Sequence, residues 1–321
     1  MNIILQILLL ALGFVMLVKG ADWFVDGACC IAEKFHIPQL IIGLTIVAMG
    51  TSAPEAAVSI TSAFKGAADI TIGNIVGCNI LNILIILGLS AIIVPLKVAK
   101  STIRIEIPFL ITISAILLIE GLDGTISFLD GAILILCFLL YLAYLLYSAI
   151  KHPAEDEEGG KKLKLWQALL ALVIGMVLIV WGSDVAVDAA TEIARIMGLS
   201  ERFIGLTIVA LGTSLPELIT TITSLRKGRA SLGVGNVIGA NVFNLVLVSG
   251  VAVSLAPFDV PCENYLLNTG LNLSLVFDIP VMLGVMSLMI FPTLASKKLA
   301  RWQGVALLGI YAAFCVCQFM L

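Results

Sequence analysis

The chain of 321 residues is 60% hydrophobic and only 12% charged, with a formal net charge of −3 and a mean hydropathy of +1.14. A soluble domain carries about 45–50% apolar and about 25% charged residues, so the charge here is too sparse to coat a globule. A soluble enzyme, a nucleic-acid binder and a disordered chain are excluded, and an all-α polytopic membrane protein is expected.

The first apolar run, Ile3 to Val18, meets its first cation only at Lys19. A secretory signal places its cation first, so this run is expected to be a retained first span. A spanning helix needs about 20 mostly apolar residues, and ten such runs occur, near 3–20, 38–64, 70–95, 105–120, 127–149, 165–183, 202–225, 232–256, 275–293 and 302–320. The polar stretch His152 to Lys164 splits the set in half and reads as a solvated linker. The expected organisation is therefore a five-helix half at 1–150, a cytoplasmic linker at 151–164 and a second half at 165–321. The seven cysteines lie mostly inside apolar runs, and Cys29-Cys30 and Cys315-x-Cys317 match no metal spacing. They read as small buried hydrophobes. Lys and Arg concentrate on the cytoplasmic side of a membrane protein. With the N-terminus outside, fifteen of the 18 fall inside, and only Lys65, Arg195 and Arg202 remain outside. Both termini, and Cys262 in the loop before the ninth span, are expected outside.

Sliding the chain against itself by 162 residues exposes an internal repeat. Gly43-Leu-Thr-Ile-Val-Ala-Met-Gly-Thr-Ser-Ala-Pro-Glu55 lies over Gly205-Leu-Thr-Ile-Val-Ala-Leu-Gly-Thr-Ser-Leu-Pro-Glu217, and 23 of 46 positions are identical between 43–88 and 205–250. The match reaches back through Asp22/Asp184 and Asp26/Asp188, and forward, after an insertion, to Glu106/Asp278. Five spans per copy is an odd number, so the second copy is expected upside down relative to the first. Inverted repeats with a midplane binding site are the architecture of secondary transporters. A passive cation channel is a distant alternative, and no HExxH or Gly-x-Gly-Asp motif supports an intramembrane enzyme.

Glu55 and Glu217 lie deep in apolar runs, with no Lys or Arg within eight residues. An unpaired charge costs several kcal/mol there, so a bound cation, or else a proton and a neighbouring helix, must offset it. Pro54 and Pro216 lack an N–H and clash with the carbonyl four residues earlier, so both helices are expected to break. The break is expected to release carbonyls around Ala48 and Ala210 into a cavity, while Thr51, Ser52, Thr213 and Ser214 add hydroxyls. Such an all-oxygen set suits a hard cation; Ca²⁺ takes about 6–8 oxygens, and two carboxylates match one divalent ion in charge. In the following Gly-Asn-x-x-Gly-x-Asn-x-x-Asn segments, Gly73/Gly77 and Gly235/Gly239 are expected to allow close helix approach. Asn82 and Asn244 offer amide oxygens to the cation or hydrogen bonds between helices, and Asn74, Asn79, Asn236 and Asn241 are expected to brace. Asp22, Asp26, Asp184 and Asp188 read as solvated interfacial acids, and Glu106 and Asp278 as interface anchors.

The paired Gly-Thr-Ser-x-Pro-Glu motifs, each followed by Gly-Asn-x-x-Gly-x-Asn-x-x-Asn, resemble the two alpha repeats of the sodium/calcium exchanger family, within the calcium:cation antiporters. The resemblance covers the whole chain. It implies ten transmembrane helices in two inverted five-helix repeats, four ion sites at the centre and gating by the first and sixth helices. It assigns ion ligation to Ala48, Thr51, Ser52, Glu55, Asn82, Ala210, Thr213, Ser214, Glu217 and Asn244. Sodium-coupled relatives often carry serine at the positions of Cys78 and Ala240 and an acid at that of Asn244. The large cytoplasmic regulatory region of animal relatives has no counterpart. The resulting expectation is an inner-membrane antiporter exchanging Ca²⁺ for Na⁺, with Ca²⁺/H⁺ exchange as the alternative. Its partners are inorganic cations and the lipid bilayer, with no cofactor beyond the transported ions.

Overall fold

The computed structural model describes residues 3–153, 163–198, 210–259, 274–288 and 297–320. The carboxylates of the linker, Arg202, the segment 205–209 and Cys262 lie outside the described residues. The fold is an all-α polytopic membrane fold. Its helices are α1 (Ile3–Lys34), α2 (Gln39–Thr51), α3 (Ala53–Phe64), α4 (Ile70–Ile93), α5 (Thr102–Asp123), α6 (Phe128–Lys151), α7 (Leu165–Ile196), α8 (Ala210–Thr213), α9 (Leu215–Arg226), α10 (Ala230–Leu255), α11 (Leu275–Leu288) and α12 (Arg301–Met320). Among the described residues, six helices are long and apolar enough to cross a membrane, and seven when the bent pair α2–α3 is taken as one span; α11 and the Arg301–Cys317 part of α12 are apolar but shorter. The expected seventh and ninth spans run partly through undescribed segments, 202–209 and 289–293.

Burial follows the pattern of lipid solvent. On α6, Gly131, Leu134, Phe138, Tyr141 and Leu145 are buried at helical spacing, while Leu136, Leu139, Leu140 and Leu146 are exposed. Apolar side chains on the outward face are what a bilayer accepts and water does not.

The helices form two compact units. Residues 1–54 and 148–236 make the first, and residues 55–147 and 237–321 the second. In the first unit, the long helices α1 and α7 pack antiparallel along glycines spaced seven apart. A Cβ on Gly13 would stand 2.8 Å from the Gly182 carbonyl, one on Gly20 2.8 Å from that of Gly175, and one on Gly27 2.6 Å from that of Ala168. Only hydrogen fits, which lets the two backbones touch. Leu17, Ala21, Phe24, Val25, Ile179 and Ala186 fill the core beside this seam.

In the second unit, α5 and α6 share a stacked pair, Phe109 and Tyr141, with ring centroids 4.8 Å apart. The Ser114 hydroxyl donates to the Met286 sulfur at 3.0 Å and joins α5 to α11. Two short ladders tie loops together, β1 (Leu96–Lys97) with β4 (Lys298–Leu299) and β2 (Thr125–Ile126) with β3 (Phe258–Asp259). Wide π turns interrupt α4 at Asn82–Leu87 and α10 at Phe243–Val248. Turns of this kind concentrate at functional sites, and these two contain Asn82 and Asn244.

Candidate cation site

Both copies interrupt their helix at the serine before the proline. Ser52 has φ −85° and ψ 10°, Ser214 has φ −94° and ψ 7°, and α3 and α9 each start with proline in the first turn. The sequence reading of a break at Gly-Thr-Ser-x-Pro-Glu therefore holds, but the carbonyl at Ala48 is not released. It accepts the Ser52 N–H at 2.9 Å and the Thr51 hydroxyl at 3.3 Å. The helical bonds lost to proline are those at Gly50 and Gly212, four residues before each ring. The second of these carbonyls is supplied from α7, where the buried Ser183 hydroxyl donates to the Gly212 oxygen at 2.8 Å. The first has no such donor in the equivalent place. Ser183 corresponds to Ala21 on α1, and the nearest side-chain neighbour of Gly50 is the Phe24 ring. Ala210 is helical in backbone.

In the first unit the oxygens converge on Glu217, which is fully buried. Its Oε1 accepts the Ser52 hydroxyl at 2.7 Å, and its Oε2 has no hydrogen-bond partner among the described residues. Asn236 supports the same region from α10. Its amide donates to the Glu217 carbonyl at 3.3 Å and the Thr221 hydroxyl at 3.0 Å, and its Oδ1 accepts the Thr51 hydroxyl at 3.2 Å. Thr51, Ser52, Glu217 and Asn236 are thus brought together. Thr213 is half-buried, and the buried Ser214 hydroxyl has no partner among the described residues.

In the second unit the motif repeats its bracing 162 residues earlier. The Asn74 amide donates to the Glu55 carbonyl at 3.2 Å and the Ser59 hydroxyl at 2.8 Å, and Glu55 is buried. The Asn82 amide donates to Asn241 Oδ1 at 2.9 Å, and among the described residues Asn82 Oδ1 has no partner. Nor, among the same residues, has either amide atom of the buried Asn244. Buried polar atoms are normally satisfied, so both asparagines retain an oxygen that a ligand can use. The buried Cys78 thiol donates to Asn74 Oδ1 at 3.5 Å, and Ala240 is fully buried and offers no side-chain oxygen.

Several outlying expectations change. Asp22 and Asp26 are not merely solvated, because the Lys227 ammonium bonds Asp26 Oδ1 and the Asp22 carbonyl at 2.7 Å each and lies 3.4 Å from Asp22 Oδ1. Arg229 pairs with Glu33 at 2.9 Å nearby. Periodicity could not find these pairs, which lie about two hundred residues apart in the chain. Glu106 is 1% exposed and buried rather than anchored at an interface, whereas Asp278 is half-buried. Among the described residues Gly73 and Gly77 are not points of close approach, since none lies within 4 Å of a Cβ built on either; Gly235 is one, against Leu40 and Gly43. Cys29, Cys30 and Cys78 are buried, Cys137 and Cys315 are half-buried and Cys317 is exposed.

Comparison with known proteins covers nearly the whole chain. The family model described as sodium/calcium exchanger protein matches residues 5–147 and 167–320. The sodium/calcium exchanger MaX1 of Methanosarcina acetivorans is 30% identical, with 99% of each chain covered. The inner membrane protein YrbG of Escherichia coli is 36% identical over 78% of this chain and 80% of its own. The solved structure of the sodium-calcium exchanger NCX_Mj, soaked with Na⁺ and Sr²⁺, superposes with a TM-score of 0.81 at 33% identity, covering 98% of this chain and 99% of that one.

Proposed function

From the premise that this chain belongs to the sodium/calcium exchanger family, we propose that it is a secondary antiporter exchanging Ca²⁺ for Na⁺ by alternating access. The family is one of transporters, not enzymes. The observation that carries the reading is Glu217, a buried carboxylate in a broken membrane helix whose Oε2 has no hydrogen-bond partner among the described residues. A cation satisfies that oxygen and offsets the charge that hydrocarbon would penalise. Glu55 and Glu217 supply the two charges of one divalent ion. Thr51, Ser52, Thr213 and Ser214 supply hydroxyl oxygens, Asn82 and Asn244 amide oxygens, and Ala210 a backbone carbonyl, while the Ala48 carbonyl stays with the Ser52 N–H. Ser52 donates to Glu217 in this state. Rotation of the same hydroxyl presents its lone pairs instead, so Ser52 can switch from holding the acid to holding the ion.

Ten transmembrane helices in two inverted halves belong to the same proposal, supported by the 162-residue repeat. So does an inner-membrane location with both termini outside, supported by the distribution of Lys and Arg. Impermeant labelling of Cys262 from the outer side tests the orientation, and labelling from the cytoplasmic side alone reverses it.

The second reading, Ca²⁺/H⁺ exchange, is favoured by Cys78 and Ala240, a thiol and a methyl where a hard cation would want oxygen. Two protons, one on each glutamate, balance one Ca²⁺ in charge. The deciding experiment is ⁴⁵Ca²⁺ flux in proteoliposomes under separately imposed Na⁺ and H⁺ gradients. The sodium reading expects flux that follows Na⁺ with low apparent affinity, improved in the double variant Cys78→Ser with Ala240→Ser. Flux that ignores Na⁺ in both proteins and follows the pH gradient assigns proton coupling.

A further inference from the structure

We infer that Ser183 is a positioning residue for cation binding, tying the second ligand segment, Thr213–Glu217, to the long helix α7 by a hydroxyl where the first copy has Ala21 on α1. The inference rests on the proposed cation site and adds to it a physical difference between the two copies. Pro216 leaves the Gly212 carbonyl without its helical donor. Ser183, 4% exposed, donates to that carbonyl at 2.8 Å across 29 residues of sequence. One turn further along α7, Val187 packs against the Cα of Gly212, where no side chain would fit. The backbone immediately before Thr213 and Ser214 is therefore held to α7 at two points, one polar and one apolar. At the equivalent place in the first copy, Ala21 replaces Ser183 and contributes no donor. Among the described residues the side chains against Gly50 are apolar, the Phe24 ring of α1 and the Met176 sulfur of α7.

α7 is also bound to α1 along the glycine seam, so a displacement of that pair is transmitted through the Ser183 bond to Thr213 and Ser214. The described contacts of the first break with the pair are apolar, Phe24 of α1 and Met176 of α7 against Gly50. The second segment is accordingly the one whose oxygens follow the long helices, and Ser183 sets their positions without itself touching the ion.

Ser183→Ala removes one buried hydrogen bond, whose net worth of about 1 kcal/mol corresponds to roughly fivefold in an equilibrium. The expected result is an apparent KM for Ca²⁺ raised about fivefold with the maximal rate little changed, and recovery in Ser183→Thr, which keeps the hydroxyl. Amide hydrogen exchange on the purified protein should quicken at 213–218 and stay unchanged at 51–56. This second readout needs neither transport nor a particular coupling ion. If the protein proves to carry no Ca²⁺ at all, exchange at these amides still reports the tie. Unchanged KM in Ser183→Ala, equal loss of rate in the Ala and Thr variants, or faster exchange spread over both segments overturns the inference.

Discussion

The break at Ser52 and the break at Ser214 share the residues Gly-Thr-Ser-x-Pro-Glu, and nearly the same backbone angles, yet their surroundings differ. At the second break Ser183 caps the carbonyl that proline strands, and Asn236 reaches the Glu217 carbonyl, Thr221 and Thr51 together. At the first, Asn74 makes the matching bonds to the Glu55 carbonyl and Ser59, but it is only partly buried, and its own oxygen is taken by the Cys78 thiol. A duplication copies a motif and leaves the scaffolding around it free to drift. The shared residues should therefore give symmetric effects when mutated, and the supports unequal ones.

The largest effect tests the symmetric part. Glu55→Gln and Glu217→Gln keep the shape and an oxygen but remove one negative charge each, and both should abolish Ca²⁺ flux without unfolding the protein, because a neutral side chain is cheaper to bury in a membrane. Near-normal ⁴⁵Ca²⁺ exchange in either variant would break the equivalence and move the site elsewhere. Next comes the unequal pair. Asn236→Ala removes its bonds to the Glu217 carbonyl and the hydroxyls of Thr51 and Thr221, at about 1 kcal/mol for each buried bond lost, while Asn74→Ala, at a half-buried position, should cost less. Thermal unfolding in detergent measures both, and equal losses would erase the distinction drawn between the two supports. The smallest effect is expected at Lys227→Met. Its side chain and those of Asp22 and Asp26 are 26%, 40% and 15% exposed, and pairs so open to solvent contribute about 0–1 kcal/mol. Stability should fall slightly at low ionic strength and converge with that of the parent protein in high salt; a large salt-independent loss would show that the ammonium supports the backbone at Asp22 rather than the charges.

Most of this was legible from residues that act locally. Proline beside glutamate in an apolar run dictates both a broken helix and a buried carboxyl whose charge a cation or a proton has to offset, whatever surrounds it. The braces at Asn74 and Asn236 were legible because the same spacing occurs twice. The glycines misled at Gly73 and Gly77, since a small-xxx-small pattern says that a close approach is possible and not that a partner is present. Ala48 misled for a different reason: proline removes the bond four residues back, at Gly50, and leaves the Ala48 carbonyl paired with the Ser52 N–H. Ser183 was invisible because a lone serine in an apolar helix has no sequence signature. Only the fold shows which stranded carbonyl it meets.

The seam between α1 and α7 has one more property. Gly13 meets Gly182 and Gly20 meets Gly175, and these positions are copies of one another, since 182 is the image of 20 and 175 the image of 13 under the 162-residue shift. Residue i touches the image of j, and j touches the image of i, which is the contact rule of a two-fold symmetric dimer. A single half-length chain thus carries both sides of the joint. Two such helices crossing antiparallel would close it without any change of sequence. In the single chain each side of the joint has its own residue, and the two sides are free to differ, with serine at 183 and alanine at 21.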